Sequence, residues 1–171
     1  MDSCQKKLLI HQIKDGCIYW LLIPGLVLGS GKLIDLAGNW QPFTASPFIF
    51  YCGLAFIILG CCIVAAALQN FSHSGQGTAN PRRPPKILVK SGAYALCRHP
   101  MFLGYDLTAI GVILFIRSPA SLWISYPVFH FGQILFLRKE ERSLTKRFGP
   151  EFATYQQQVP FLIPRLFHRQ Q

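Results

Sequence analysis

The chain is organised around residues 92–104, which read Gly92-Ala-Tyr-Ala-Leu-Cys-Arg98-His99-Pro100-Met-Phe-Leu-Gly104. The ring of Pro100 fixes its own φ and disfavours the α region for the preceding residue, His99. Because proline is tolerated in the first turn of a helix, we predict a helix that begins at about Met101. Arg98 and His99 are then held at the mouth of this helix, either as a functional pair or as a simple interface anchor.

Apolar runs before and after this stretch predict an all-α integral membrane protein. Of the 171 residues, 51% are hydrophobic and only 14% are charged, whereas a soluble domain carries about a quarter charged residues. One run of 21 residues without a charge, Phe48–Leu68, is long enough to cross a hydrocarbon core of about 30 Å. The other runs are Cys17–Ser30, continuing towards Leu36, then Met101–Ile116 and Ala120–Leu137.

These four runs predict about four transmembrane helices. A signal peptide is the competing interpretation of the first run, but its polar lead and the lack of a small-residue cleavage site favour a span. The third and fourth runs are joined by Arg117-Ser118-Pro119, which predicts an antiparallel helical hairpin. Both runs are near the lower length limit for spanning, so a shallow or kinked pair is the alternative.

The remaining segments are polar. Glycine, proline and asparagine predict a basic loop over Gln69–Lys90. The tail, Arg138–Gln171, reads as an amphipathic cytosolic segment with a helix stop at Phe148-Gly149-Pro150. Val159–Arg165 reads as an extended apolar strip, over the bilayer surface or over a pocket. We treat 1–171 as a single domain, with two spans in 1–74 and a functional core in 75–171.

The basic residues indicate the orientation. Apart from Lys32 and Arg117, they all lie before the first run, between the second and third runs, or after the fourth run, and four spans place these segments on one side. The positive-inside rule then predicts that both termini are cytoplasmic. The net charge of +10 belongs to a membrane face and favours anionic lipids, not nucleic acid. The six cysteines show no metal-ligand spacing, so we predict neither a disulfide framework nor a metal site.

Two adjacent carboxylates, Glu140 and Glu141, follow the fourth run, on the same predicted face as Arg98 and His99. Alone they suggest a solvated helix end. Together the two clusters predict one cytosol-facing cavity that binds a zwitterionic amino-acid head group, with its ammonium on one of the glutamates. S-adenosylmethionine has such a head group, and its sulfonium carries a reactive methyl.

Polar residues inside the apolar runs are default functional candidates. Asp106 lies about two turns into the third run, where substrate contact and pairing with a neighbouring helix are both open. His130 and Gln133 are one turn apart in the fourth run, which favours hydrogen bonding between helices. Cys97 reads as a packing residue.

Two motifs over roughly residues 75–165 resemble the isoprenylcysteine carboxyl methyltransferase and phospholipid methyltransferase superfamily. The first is Gly92-x-Tyr94-x3-Arg98-His99-Pro100-x2-Leu103-Gly104. The second is Glu140-Glu141-x2-Leu144-x3-Phe148-Gly149-x-Glu151-x3-Tyr155, followed by the proline-rich strip. The resemblance implies a membrane methyltransferase that uses S-adenosylmethionine and acts on a lipid or lipidated small substrate in the bilayer.

The resemblance also implies roles for single residues. Arg98, His99 and Glu141 are the candidate catalytic residues, and Asp106 and Arg138 are candidates for substrate contact. The implied cofactor contacts are Lys86, Ile87, Leu88, Val89, Tyr94, His99, Pro100, Met101, Phe102 and Glu140.

Two positions depart from the pattern. Phe102 stands where the family often has tyrosine, and Phe136 stands where the prenylcysteine enzymes have an arginine that contacts the substrate carboxylate. The second departure weakens prenylcysteine carboxyl O-methylation, which overall similarity still favours, and the alternatives are phospholipid N-methylation and thiol methylation. The further alternatives are a sterol-type reductase that uses a nicotinamide cofactor and a membrane protein without catalytic activity.

Overall fold

A computed structural model describes residues 22–74 and 87–164, with side chains to residue 70 in the first range. Within these ranges the chain is helical and contains no strand, which confirms the predicted all-α class. The helices are α1 (Ile23–Ala37), α2 (Pro47–Ser74), α3 (Ala93–Leu96), α4 (Pro100–Ile116), a π-helical segment (Ser121–Ser125), α5 (Tyr126–Phe148) and α6 (Pro150–Gln158).

Helix α2 contains the segment best suited to cross a membrane. In the described part of the chain, only Pro47–Asn70 is both long and apolar enough, with a mean hydropathy of 2.6. Only 17% of its most apolar window is buried inside the protein, and large side chains such as Phe48 and Tyr51 lie on its outer surface. The predicted loop start at Gln69 is wrong, because polar residues extend the helix to Ser74 and the helix-breaking glycines come later.

Helix α4 begins as the sequence predicts, at Pro100, after His99 in a non-helical conformation (φ −124°, ψ 58°). It is a shorter apolar helix of 17 residues. It ends at Arg117, whose left-handed backbone (φ 56°) turns the chain into the next helical segment. The predicted hairpin between the third and fourth runs is therefore present.

Glycines allow α2 and α4 to pack closely side by side. A Cβ added at Gly104 would lie 2.6 Å from the carbonyl oxygen of Gly60, and one added at Gly111 would lie 2.6 Å from that of Gly53. The two glycines of each helix are seven residues apart, so they fall on one face. Small residues at such positions are the usual means of close helix packing in membranes.

The fourth helical region is longer than the sequence predicts. It runs from the π-helical segment through α5 to Phe148, so the apolar run and the first part of the polar tail form one continuous helix. The π-helical segment lies just before Pro127, which lacks the N–H that a regular helix needs. The predicted stop is correct, since Gly149 has a positive φ of 54° and α6 begins at Pro150.

The connections place the ends of the helices. The Phe43 N–H donates to the Arg117 carbonyl over 3.2 Å, so the loop before α2 and the turn after α4 share one end. The end of α2, residues 87–99 and the end of α5 lie at the other end, because Gly92 packs against Asn70 and Arg98 reaches α5. Residues 17–21 of the first predicted span and most of the predicted basic loop lie outside the described residues.

Candidate functional site

The site lies at the end of the bundle where α4 begins and α5 leaves the apolar region. Gly92, with a positive φ of 62°, starts the single turn of α3, and an extended Cys97 follows it. Arg98 and His99 come next, held by Pro100 in the first turn of α4. The local sequence therefore aims two nitrogen-bearing side chains towards the C-terminal half of α5.

Glu141 of α5 binds both of these side chains. Arg98 Nε donates to Glu141 Oε1 over 2.6 Å, and Arg98 Nη2 lies 3.4 Å from Oε2. His99 Nε2 is 3.2 Å from Oε1, and Gln156 Nε2 donates to Oε2 over 3.1 Å. Since an ionised carboxylate only accepts, His99 carries its proton on Nε2 in this contact. We call Arg98, His99, Glu141 and Gln156 the Glu141 node.

Arg98 also fastens the C-terminal segment. Its Nη1 donates to the carbonyl oxygens of Gln156 at 2.8 Å and Val159 at 3.0 Å, and its backbone N–H donates to Pro160 at 2.9 Å. Its guanidinium lies 5.6 Å from the ring centre of Phe161. The predicted strip therefore packs on Arg98 and His99.

The two neighbouring glutamates have opposite electrostatic environments. Burial raises the pKa of Glu141, but the hydrogen bond from His99 and the charge of Arg98 outweigh it, so its pKa lies below the ordinary value. Burial raises the pKa of Glu140, and the charge of Glu141 adds to this increase while His99 opposes it. Among the described residues, Glu140 has neither a hydrogen bond nor an ion pair. Glu140 is therefore a half-buried carboxylate whose charge no cation neutralises in direct contact within the described residues.

This geometry corrects the predicted cavity between the two clusters. Arg98 and Glu141 are in direct contact, because opposite charges of low exposure pair with each other when they can. A ligand therefore cannot lie between those two side chains. Of the two glutamates predicted to bind an ammonium group, Glu140 is the one without a hydrogen-bonding or ionic partner in the described part of the chain.

Aromatic side chains surround the Glu141 node. The ring of His99 lies 5.0 Å from that of Phe161, and Phe102 lies 6.2 Å from Phe136 across α4 and α5. The Tyr155 hydroxyl donates to the Tyr94 carbonyl over 2.6 Å, which ties α6 to α3. Burial raises the pKa of Tyr94, with a contribution from the charge of Glu140, so Tyr94 lies near that carboxylate.

The predicted cofactor contacts have different surroundings. Val89 and Pro100 are buried, whereas Leu88, Tyr94, Met101 and Phe102 are half-buried. Ile87 is exposed, and Lys86 lies outside the described residues. In the structure, Glu140 interacts electrostatically with both Tyr94 and His99.

The other predicted residues lie further away or on the surface. Arg138 is exposed on α5. Asp106 is buried and accepts a hydrogen bond from Gln133, which confirms the predicted bonding between helices. Cys97 is 1% exposed, and burial raises the pKa of its thiol to about 11, so it is a packing residue with little thiolate.

Sequence reasoning missed Gln156, which shares Glu141 with Arg98. Nothing in the local pattern distinguishes it from its glutamine neighbours. It also missed Lys90–Glu151, an exposed ion pair of 2.8 Å that joins the segment before α3 to α6. The opposite charges of Lys90 and Glu151 were the sequence feature that could have suggested this ion pair.

The fold and the site define a class: in its described residues, a helical protein with an apolar bundle and a cluster of polar side chains at one end. The family model for phospholipid methyltransferase matches residues 48–151. This chain belongs to the phospholipid methyltransferase family, which confirms the resemblance seen in its two motifs.

The curated relatives of this chain include proteins named protein-S-isoprenylcysteine O-methyltransferase. The protein-S-isoprenylcysteine O-methyltransferase of Schizosaccharomyces pombe is 30% identical over 167 residues, 89% of this chain and 69% of the relative. The mouse protein of that name is 30% identical over 130 residues, 73% of this chain and 44% of the relative. The cobalt-zinc-cadmium resistance protein CzcN of Cupriavidus metallidurans is 36% identical over 147 residues, 86% of this chain and 62% of the relative.

The chain spans less than half the length of the mammalian relatives it matches. No solved structure matches it.

Proposed function

We propose that this protein transfers a methyl group from S-adenosylmethionine to a membrane-partitioned acceptor. The observation that carries the proposal is Glu140, a half-buried carboxylate without a partner and with a raised pKa, beside the ordered Glu141 node. A titratable group whose pKa is perturbed, next to fixed hydrogen-bonding partners, is typical of functional sites. Family membership supports the same chemistry.

The residues present fit the cofactor's amino-acid head group. Glu140 would hold its ammonium by a charge-assisted hydrogen bond. Tyr94, Met101 and Phe102 would form half-buried walls near this carboxylate. S-adenosylmethionine supplies a methyl group on a positively charged sulfur, and transfer removes that charge. The protein's task is then to align the acceptor and to exclude water.

Arg98 and Glu141 would act as positioning residues in this proposal. The guanidinium is already committed to Glu141 and to two backbone carbonyls, so it has little capacity left for a substrate. Its role is to fix the C-terminal strip over the site. His99 would be the candidate base for an amine or thiol acceptor, through Nδ1, because Nε2 faces Glu141.

The acceptor class is a lipid or a lipidated small molecule. The outer surface of α2 and α5 is rich in exposed apolar side chains, which suits entry from the bilayer. An ionised carboxylate, as in prenylcysteine, needs no base. The curated relatives favour this acceptor by name, while Phe136 in place of the expected arginine weakens it and leaves an amine or thiol acceptor open.

We also propose four membrane-spanning helices with cytoplasmic termini, because the basic residues lie almost entirely in segments that four spans place on one side.

Two binding measurements test the proposal. The purified protein in lipid nanodiscs is titrated with S-adenosylhomocysteine and separately with NADPH. Saturable binding of S-adenosylhomocysteine alone is expected, binding of NADPH alone would favour the reductase alternative, and binding of neither would favour a protein without catalytic activity. Lipid extract incubated with methyl-labelled S-adenosylmethionine, then separated by polarity, identifies the acceptor.

A further inference from the structure

The outward face of α5 changes from apolar to basic without a break in the helix. In its first half, Val128 is 70% exposed, Phe131 is 65% exposed and Leu135 is 51% exposed. These positions are three and four residues apart, so they fall on one face. The same spacing continues in the second half to exposed basic residues, which are Arg138, Lys139, Arg142 and Lys146. We call Arg138, Lys139 and Arg142 the basic patch.

The side chains of the basic patch have no partner in the part of the chain that the structure describes. None of the three makes a hydrogen bond, an ion pair or a ring contact with another described residue. Other basic side chains at this end are paired, since Arg98 binds Glu141 and Lys90 binds Glu151. The basic patch is therefore available to an anion from outside.

The neighbouring glutamates do not neutralise the basic patch. Glu140 is two residues from both Arg138 and Arg142, which places it about 200° away around the helix. Glu141 is buried, and its carboxylate is already bound by Arg98 and His99. The exposed surface at this level of α5 therefore carries charge of one sign, which attracts anions.

The dimensions of this face match one leaflet of a bilayer. From Val128 to Arg138 the helix rises about 15 Å, which is half of a hydrocarbon core of about 30 Å. The basic patch then occupies about 6 Å along the axis, and the head-group layer on each side of the core is about 5–8 Å thick. Lys146 lies about 6 Å further out than Arg142. The patch alone is thus at the level of the lipid phosphates.

We propose that the basic patch binds the phosphate of an anionic phospholipid. Arg138 and Arg142 donate to the phosphate oxygens, as guanidinium groups commonly do, and Lys139 adds positive charge. An acyl chain of the same lipid lies along the apolar half of the face. This lipid is an anchor and not the methyl acceptor, because it lies on the side of α5 opposite Glu140.

The apolar half of the face decides between a lipid and a soluble partner. A nucleic acid or an acidic protein would match the charge of the basic patch, but it would not cover the exposed apolar residues that continue the same face. The inference rests on the proposed insertion of α5 into the bilayer, and it does not depend on methyl transfer.

Phosphatidylglycerol is the probe, because its head group carries a phosphate and no amine. The full chain, with ¹⁵N-labelled arginine and in phosphatidylcholine nanodiscs, is titrated with this lipid and followed by NMR. The Nε–H signal of Arg142, assigned with Arg142→Lys, should shift to saturation. The signals of Arg98, which is bound by Glu141, and of Arg147, about 140° away around α5, should shift little. Equal shifts of Arg142 and Arg147 would reflect only a general surface potential and would overturn the proposal.

A pair of substitutions tests the level of the bound phosphate. Lys139→Gln should raise the phosphatidylglycerol fraction at half-saturation of the Arg142 shift about fivefold, because one basic charge is lost beside an anionic head group. Lys146→Gln is the matched control, since it removes the same charge from the same face but beyond the head-group layer. It should raise that fraction less than about twofold. Equal changes in the two variants would contradict the position given to the lipid.

Soluble anions test the other occupants of this face. Inorganic phosphate and a polyglutamate peptide, added separately to phosphatidylcholine nanodiscs, should give no saturable shift of the Arg142 signal. A saturable shift with either one, and none with phosphatidylglycerol, would assign the face to a soluble partner and overturn the proposal.

Binding of S-adenosylhomocysteine in the same nanodiscs keeps this test separate from the proposed function. Its affinity should be unchanged in Lys139→Gln. If S-adenosylhomocysteine binds and the Arg142 signal does not respond to phosphatidylglycerol, the anchoring lipid is refuted and the proposed function is not.

Discussion

The two ends of the helical bundle each contain a buried carboxylate, but they use it differently. At one end, Asp35 of α1 accepts hydrogen bonds from the Ser118 hydroxyl and, at 3.0 Å, from the Ala120 N–H. These neutral donors lie in the turn between α4 and the π-helical segment. At the other end, Glu141 binds the cation Arg98 together with His99 and Gln156.

Under the proposed function, this difference separates an end that only stabilises the fold from an end that also binds the ligand. At the Asp35 end, both carboxyl oxygens and the nearby Ser121 N–H are paired, whereas the buried Ser121 Oγ has no hydrogen-bond partner among the described residues. At the other end, Glu141 is used to order the chain, and the next glutamate, Glu140, is half-buried and has no partner within residues 22–74 and 87–164. We therefore expect damage at the first end to affect stability alone, and damage at the second to affect ligand binding as well.

The largest effect is expected for Arg98→Met. The substitution leaves Glu141 with low exposure and without its cation, and it releases the carbonyls of Gln156 and Val159. Removing one partner of a buried pair costs about 3–5 kcal/mol. Thermal unfolding in nanodiscs should show a large loss of stability, together with loss of S-adenosylhomocysteine binding.

The control for Arg98 is Arg138→Met, which removes an exposed arginine from the same region. It should change the free energy of unfolding by less than about 0.5 kcal/mol. Similar losses in the two variants would contradict the central place given to Arg98.

A smaller and more selective effect is expected for Glu140→Gln. Loss of a charged hydrogen bond to the ligand ammonium should weaken S-adenosylhomocysteine binding about 10- to 100-fold. Stability should not fall, because the fold itself disfavours the ionised form of Glu140. Isothermal titration calorimetry and thermal unfolding measure the two effects. Unchanged affinity would remove Glu140 from the site, and Glu151→Gln, at an exposed glutamate, is the matched control.

Asp35→Ala tests the structural end. It leaves the Ser118 hydroxyl and the Ala120 N–H without their acceptor, at a cost of about 1–3 kcal/mol. The affinity for S-adenosylhomocysteine should stay within about twofold of the wild type, since such distant sites act nearly independently. A loss of affinity as large as that of Glu140→Gln would remove the distinction between the two ends.

The sequence was most informative where a local rule applied. Pro100 fixed the start of α4, Gly149-Pro150 fixed the break before α6, and charge-free runs located the apolar helices. The end of α2 and the continuity of α5 were missed, because polar residues that leave a membrane remain compatible with a helix until glycine or proline interrupts it. The motifs correctly joined Arg98 and His99 to the glutamates.

The sequence does not show which of the two glutamates pairs with Arg98 and His99. Glu140 and Glu141 are adjacent in the chain, and only their angular positions on α5 decide which one faces Arg98. Gln156 and the Asp35–Ser118 contact depend on segments brought together by packing. Such pairings over long sequence separation have no signature in local spacing.

The final prediction concerns pH and separates the two glutamates. The pKa of Glu141 is lowered in the folded state, so its stabilising contribution is present above its unfolded value of about 4.5 and is lost as the pH falls through the lower folded pKa. The pKa of Glu140 is raised, so its carboxylate becomes protonated at a pH above 4.5 and then no longer attracts an ammonium. On acidification, affinity for S-adenosylhomocysteine should therefore fall before stability does.

Calorimetric titrations and thermal unfolding at matched pH values measure these two curves. In Glu140→Gln the weaker affinity should be independent of pH until the protein begins to unfold, because the titrating group is gone. If affinity and stability instead fell together in the wild type, one network would control both properties. The Glu141 end would then resemble the Asp35 end, with ligand binding only a consequence of folding.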